Sequence, residues 1–123
     1  LISLCKSLKK KYSIKTENFL GHSDIAPLRK IDPGEKFPWK KLSKYKIGKW
    51  YFKNNNVSKV HPKKMQELFF KNLKKLGYKY FNLRKRNFKD KKVIKSFQQR
   101  YLPNNLTERV DQKTFNISQF LTH

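Results

Sequence analysis

At 123 residues the chain is long enough for one modest domain or two small pieces. Its formal net charge of +23, from 31 Lys+Arg against 8 Asp+Glu, would attract any polyanion. The lysines, however, are spread over nearly every segment, as a proteome-wide bias would leave them, and no C-x-x-C pair, RNP-like string or Arg-rich block marks a dedicated nucleic-acid reader. The single cysteine, Cys5, excludes an internal disulfide, and no apolar run reaches membrane-spanning length.

Residues 1–12, LISLCKSLKKKY, place Leu1, Cys5, Leu8 and Tyr12 three or four apart, which predicts the end of an amphipathic helix with Cys5 as a small apolar residue on its face. Ser13 to Asn18 reads as a polar connection. Phe19 and Leu20 read as a short buried strand that delivers His22 at its C-terminal end.

The next stretch, Gly21 to Trp39, is GHSDIAPLRKIDPGEKFPW. Pro27, Pro33 and Pro38 remove donors and fix φ, and they push Ala26, Asp32 and Phe37 towards extended conformations. The result is a long, stiffened loop that carries polar side chains at set offsets, a common setting for chemistry. An imidazole and a carboxylate are both good zinc ligands, and hydrolytic zinc sites usually take three protein ligands, so His22 and Asp32 are candidate ligands. Lys30, two residues before Asp32, could place an ammonium beside the oxyanion that forms when a carbonyl is attacked. The spacing alone is also met by a His22 that caps or packs at a strand end and an Asp32 that closes an Asx-turn into Pro33.

The full string narrows the choice. Gly21-His22-Ser23-Asp24-Ile25-Ala26-Pro27, Arg29-Lys30, Asp32-Pro33-Gly34 and Phe37-Pro38-Trp39 together closely resemble the zinc-dependent N-acetylmuramoyl-L-alanine amidases of the AmpD/AmiD type. The resemblance implies that His22 and Asp32 are two of three zinc ligands and that Lys30 assists the transition state. Family members carry a further His ligand and a catalytic Glu upstream, on a part of the domain outside this chain. The chain begins at Leu1, so the expectation is the C-terminal piece of a longer amidase. Leu28 stands where the family usually has Gly; if that position needs a positive φ, Leu is costly there.

Further along, Pro38 to Lys44 predicts a helical turn with Trp39 and Leu42 facing inward. Lys46 to Asn56 is a connector with Gly48, a triple Asn and the aromatics Trp50, Tyr51 and Phe52, which either pack the linker down or stack on sugar rings. A second unit is expected from Val57. Ser58 or His61 leads into Pro62, and Met65, Leu68, Phe69, Asn72, Leu73 and Leu76 trace a helical stripe ended by Gly77. Asp90 is expected to cap a second helix with Val93, Ile94, Phe97 and Tyr101 on its apolar face, stopped before Pro103. Asp111 opens a third with Phe115, Ile117, Ser118 and Leu121. Leu76-Gly77-Tyr78, Val93-Ile94-Lys95-Ser96-Phe97-Gln98 and Val110-Asp111-Gln112-Lys113-Thr114 resemble the three-helix peptidoglycan-binding domain found behind envelope amidases. Phe97 and Leu121 read as core; Gln98 and Thr114 read as caps or polar contacts.

The expectation is therefore an α+β chain: the C-terminal fragment of an α/β zinc amidase domain (1–45), a linker (46–56) and a small all-α three-helix peptidoglycan-binding-like bundle (57–123). The resemblance implies a bacterial peptidoglycan hydrolase that cuts the amide between N-acetylmuramic acid and L-alanine, with zinc as cofactor and peptidoglycan or muropeptides as partners. It implies no specific nucleic acid and no transmembrane segment. The expected location is the cell envelope, periplasmic or outer-membrane associated, with the cytoplasm left open. The missing N-terminal half of the amidase domain is a candidate partner, and the chain by itself is expected to be incomplete. Two rival readings are an inactive wall-binding remnant and a basic nucleic-acid binder, the latter separable by a steep salt slope with base preference.

Overall fold

The computed structural model describes residues 1–51 and 59–123. In chain order the elements are α1 (Ile2–Tyr12), a 3₁₀ turn (Thr16–Asn18), α2 (His22–Ile25), α3 (Trp39–Ser43), α4 (Pro62–Leu76), α5 (Asp90–Tyr101) and α6 (Gln112–Thr122). The expected α+β class is corrected: there is no strand among the described residues. Phe19 is extended, with φ −87° and ψ 105°, but it has no ladder to join, and Leu20 is exposed. An extended dipeptide without a neighbouring strand leaves its backbone groups to other partners. His22 accordingly starts a single helical turn and does not end a strand.

Three helices surround the larger apolar cluster. Pro62 opens α4 behind His61, whose Nδ1 accepts the Lys63 N–H at 3.3 Å, and Gly77 closes it in the left-handed region at φ 97°. In α6 the Asp111 carboxylate accepts from the Thr114 N–H at 2.9 Å and its hydroxyl at 2.6 Å, an N-cap made twice over. Asp90 is not the cap of α5 but its first residue, where its Oδ2 accepts from the Asn87 N–H at 2.8 Å and lies 3.3 Å from Arg86. A carboxylate in the first turn still favours the helix through the dipole.

Phe69, Phe97, Phe115, Leu73 and Val93 fill the interior between α4, α5 and α6. Phe97 meets Phe69 edge-on at 5.2 Å and 89° and lies 4.9 Å from Tyr101. Phe70, off the predicted stripe, is also fully buried, under Phe81 at 5.1 Å and the Arg86 guanidinium at 3.5 Å. Gln98 holds the loop before α6: its Nε2 donates to Thr107, the Arg109 carbonyl and Thr114, each at 3.0 Å, and its Oε1 accepts the Glu108 N–H at 2.9 Å.

A smaller cluster of Trp39, Leu42 and Ile47 organises the N-terminal part, with Ile2, Cys5, Phe19, Phe37 and Trp50 packed against it. The face of α1 differs from the predicted one. Ile2 and Cys5 turn inward, whereas Leu1, Leu4, Leu8 and Tyr12 are exposed. Trp50 touches both clusters, stacks on Tyr51 at 4.9 Å and lies 5.6 Å from Tyr101, and the Tyr51 hydroxyl donates to the Tyr101 carbonyl at 2.7 Å. Trp50 and Tyr51 are thus packing residues. Phe52, the triple Asn, Ser58 and the expected boundary at Val57 lie outside the described residues. Among the described residues, no helix is long and apolar enough to cross a membrane.

Candidate functional site

The site grows from the way the two ends of the 21–34 loop are held together. The Ser23 N–H donates to the Asp32 carbonyl at 2.9 Å. Gly21 packs on Pro33 so closely that a Cβ there would stand 2.5 Å from the proline Cδ, so only glycine fits without a shift. The Asp32–Pro33 peptide is cis. Between the two ends, the Ala26 carbonyl accepts from the Arg29 N–H at 3.1 Å and the Lys30 N–H at 2.9 Å. Leu28 avoids the positive φ that would have strained it, and its side chain packs on the larger cluster.

This closure brings two of the three candidate residues together. His22 Nδ1 and Asp32 Oδ2 approach to 3.4 Å, with side chains 48% and 65% exposed. Two donors that share a tetrahedral ion at bonds of about 2.0–2.1 Å stand about 3.3–3.4 Å apart, so the pair has the separation and donor chemistry of two zinc ligands. No group of three or more His, Cys, Asp or Glu side chains converges among the described residues, so His22 and Asp32 stand as a pair of candidate ligands. Lys30 is not brought into the pair by any bond. It is exposed, and its ammonium has no hydrogen bond or ion pair among the described residues.

Beneath the pair lies a polar network that sequence reasoning did not single out. Asp24, on the same turn as His22, is 7% exposed. Its Oδ2 accepts from the Gly21 N–H at 2.8 Å and from Arg100 Nη1 at 2.6 Å, and its Oδ1 accepts from the Tyr78 hydroxyl at 2.6 Å. Arg100 Nη2 donates to the Phe19 carbonyl at 3.0 Å, the guanidinium lies 3.8 Å from the Trp39 ring, and Nε has no hydrogen-bond partner among the described residues. Burial first, then Asp24, pushes the Tyr78 hydroxyl well above the usual tyrosine range, so it remains a donor. Burial lowers Arg100, but Tyr101, Asp24 and Tyr78 outweigh it and the net shift is upward. The only sequence signals were a carboxylate inside the GHSDIAP string and an arginine in a chain whose basic residues are mostly lysine.

No family model matches the chain. Over 50 residues, 41% of this chain and 18% of the relative, it is 52% identical to the N-acetylmuramoyl-L-alanine amidase AmiD of Escherichia coli. The chain is similar to AmiD and AmpD amidases. Over 42 residues, 34% of this chain and 22% of the relative, it is 44% identical to the 1,6-anhydro-N-acetylmuramyl-L-alanine amidase AmpD of Enterobacter cloacae. Its fold superposes on the structure of Escherichia coli AmiD in complex with the substrate anhydro-N-acetylmuramic acid-L-Ala-D-gamma-Glu-L-Lys, with a TM-score of 0.79 and 29% identity over 98% of this chain and 48% of that one. The chain therefore spans about half the length of the AmiD structure it matches. Both relatives, and the superposed structure, are amidases by name.

Proposed function

We propose that the chain forms the C-terminal part of a zinc-dependent peptidoglycan amidase acting on the bond between N-acetylmuramic acid and L-alanine. The observation that carries this reading is the 3.4 Å approach of His22 and Asp32, in a chain similar to amidases. His22 and Asp32 would hold zinc, which when bound supplies Lewis acidity for amide hydrolysis. A hydrolytic site of this kind takes a third protein ligand, and the same reading places that ligand on the part of the AmiD-type fold that the chain does not span. Lys30, exposed and without a hydrogen bond or ion pair among the described residues, lies two residues from Asp32 in sequence, where it would swing its ammonium towards the oxygen that gains negative charge as the amide is attacked.

On this reading the α4–α6 bundle holds the cell-wall polymer, and the protein works in the bacterial envelope. On the same reading, an open surface depression of about 420 Å³, lined by Lys74, Phe81, Asn82, Leu83 and Arg84, would offer two cations to a carboxylate-bearing peptide stem. The test joins this chain to the part of an AmiD-type amidase that it does not span and follows release of the L-Ala peptide from a muramyl peptide, with metal content read by mass spectrometry. Asp32→Ala should lose zinc and turnover together. Lys30→Ala should keep zinc and lose roughly two to three orders of magnitude in kcat with little change in KM. Full zinc and normal turnover in Asp32→Ala would overturn the ligand assignment, and normal turnover in Lys30→Ala would remove Lys30 from the mechanism.

A further inference from the structure

The α2 turn is four residues long, too short to hold its shape by its own hydrogen bonds. The His22 side chain is about half exposed and that of Asp32 about two-thirds, so little packing restrains them. Their separation is therefore set by the backbone: by the Ser23–Asp32 hydrogen bond of 2.9 Å and by the contact of Gly21 with Pro33. What holds that backbone still is Asp24, fixed through both of its oxygens to groups from elsewhere in the chain. Arg100 and Tyr78 lie 76 and 54 residues from Asp24, one on α5 and the other just past the end of α4. Arg100 also pins the Phe19 carbonyl, so one guanidinium grips the chain on both sides of Gly21-His22. Gly48 leaves room for this grip, since a Cβ there would be 3.0 Å from both Arg100 Nη2 and Trp39.

We propose that Arg100 and Tyr78 are positioning residues that act through Asp24 to hold the His22 turn against Asp32. The bundle then serves the candidate metal pair directly, beyond any part it plays in holding polymer. The proposal rests on the reading of His22 and Asp32 as a ligand pair, but its structural half stands without zinc. Arg100→Lys keeps the charge and loses the fork that reaches Asp24 and Phe19 together. Tyr78→Phe removes one hydroxyl and keeps the ring. Gln98→Ala is the control, because Gln98 is fully buried on the same helix but serves the 107–114 loop.

The first readout is hydrogen exchange of the Ser23 amide relative to that of Leu73 in the core, in the 123-residue chain without metal. The ratio should rise about thirtyfold in Arg100→Lys and about tenfold in Tyr78→Phe, the scale of losing hydrogen bonds to a charged group. It should stay unchanged in Gln98→Ala, which a merely destabilising effect would not allow. The second readout is the Kd for zinc chloride of the joined protein that supplies the third ligand, by competition with a chromophoric chelator, which should weaken in the same order. An unchanged exchange ratio in both variants overturns the positioning role, even if zinc binds at His22. Zinc binding that is absent, or indifferent to His22→Ala, sinks the ligand reading, while a raised Ser23 ratio would still support the positioning of the turn.

Discussion

Residues 1–51 and 59–123 place their large apolar side chains differently. In the first region Leu1, Leu4, Leu8, Tyr12, Leu20, Ile25, Ile31 and Tyr45 are exposed; in the second only Tyr80 and Phe88 are, among the described residues, both on the connection between α4 and α5. The second region encloses Phe69, Phe70, Phe97 and Phe115 without exposure, whereas the first buries Trp39, Leu42 and Ile47 as its own cluster. Burial of apolar area is the main favourable term in folding, so the bundle has most of what it needs and the loop region does not. The loop region takes its order from elsewhere: from the Asp24–Arg100 pair, and from Trp50 bridging the two clusters. The region that carries the candidate chemistry is thus the one that depends on the other.

Single substitutions can break or sharpen that contrast. The largest effects should come from Phe97→Ala and Asp24→Ala, for different reasons. Phe97→Ala opens a cavity at the centre of the bundle and should cost about 3–5 kcal/mol. Asp24→Ala leaves Arg100 buried without its carboxylate, with side chains 2% and 4% exposed in the intact pair, and should cost a similar ~3–5 kcal/mol. Urea titration measures both. If Asp24→Ala lost less than about 1 kcal/mol, the loop region would owe little to the bundle.

Next in size is an alkaline limb. Burial raises the Tyr101 hydroxyl from 10.0 to about 12, with Arg100 opposing and Asp24 adding to the rise. Between those values the unfolded chain has released the proton and the folded one has not, so stability falls as pH rises, by roughly 2–3 kcal/mol across the window. Tyr78, raised in the same direction, adds to this limb, so Tyr101→Phe should make it shallower without removing it, and a limb of unchanged slope would contradict the Tyr101 shift. Smaller still is Asp111→Ala, which should cost about 1 kcal/mol as a lost N-cap and act on the bundle alone. Burial raises the Asp111 carboxyl, but hydrogen bonds from Thr114, Thr107 and Asn105 outweigh it and leave it below its ordinary value. Its contribution is therefore present above pH ~4 and lost as the pH falls further, which an acid titration of the variant would check. Leu4→Ala, on the exposed side of α1, should stay within about 0.5 kcal/mol by thermal unfolding.

The bundle was legible because its signals are local. The stripe from Met65 to Leu76, Gly77 at its end, and Asp111 as a cap each act within one or two turns of helix. The expected strand at Phe19-Leu20 was not, because a strand depends on neighbours that those two residues do not contain. The face of α1 was misassigned for a related reason: Leu1, Leu8 and Tyr12 fit the same spacing as Ile2 and Cys5, and tertiary packing decided between the two faces. His22, Lys30 and Asp32 stood out as residue types in a stiff loop, and the structure brings His22 to Asp32 while leaving Lys30 on the surface. The support under them was hidden, since Asp24, Tyr78 and Arg100 are joined only by the fold.

The central claim is that His22 and Asp32 act as one ligand pair. A zinc titration of the chain followed by imidazole 1H–15N NMR tests it most directly, because His61 and His123 serve as internal references. The account predicts that the His22 ring signals shift first and saturate, and that Asp32→Ala abolishes that response while His61 and His123 behave alike in both proteins. Equal response from all three histidines, or a His22 response that survives Asp32→Ala unchanged, would contradict it.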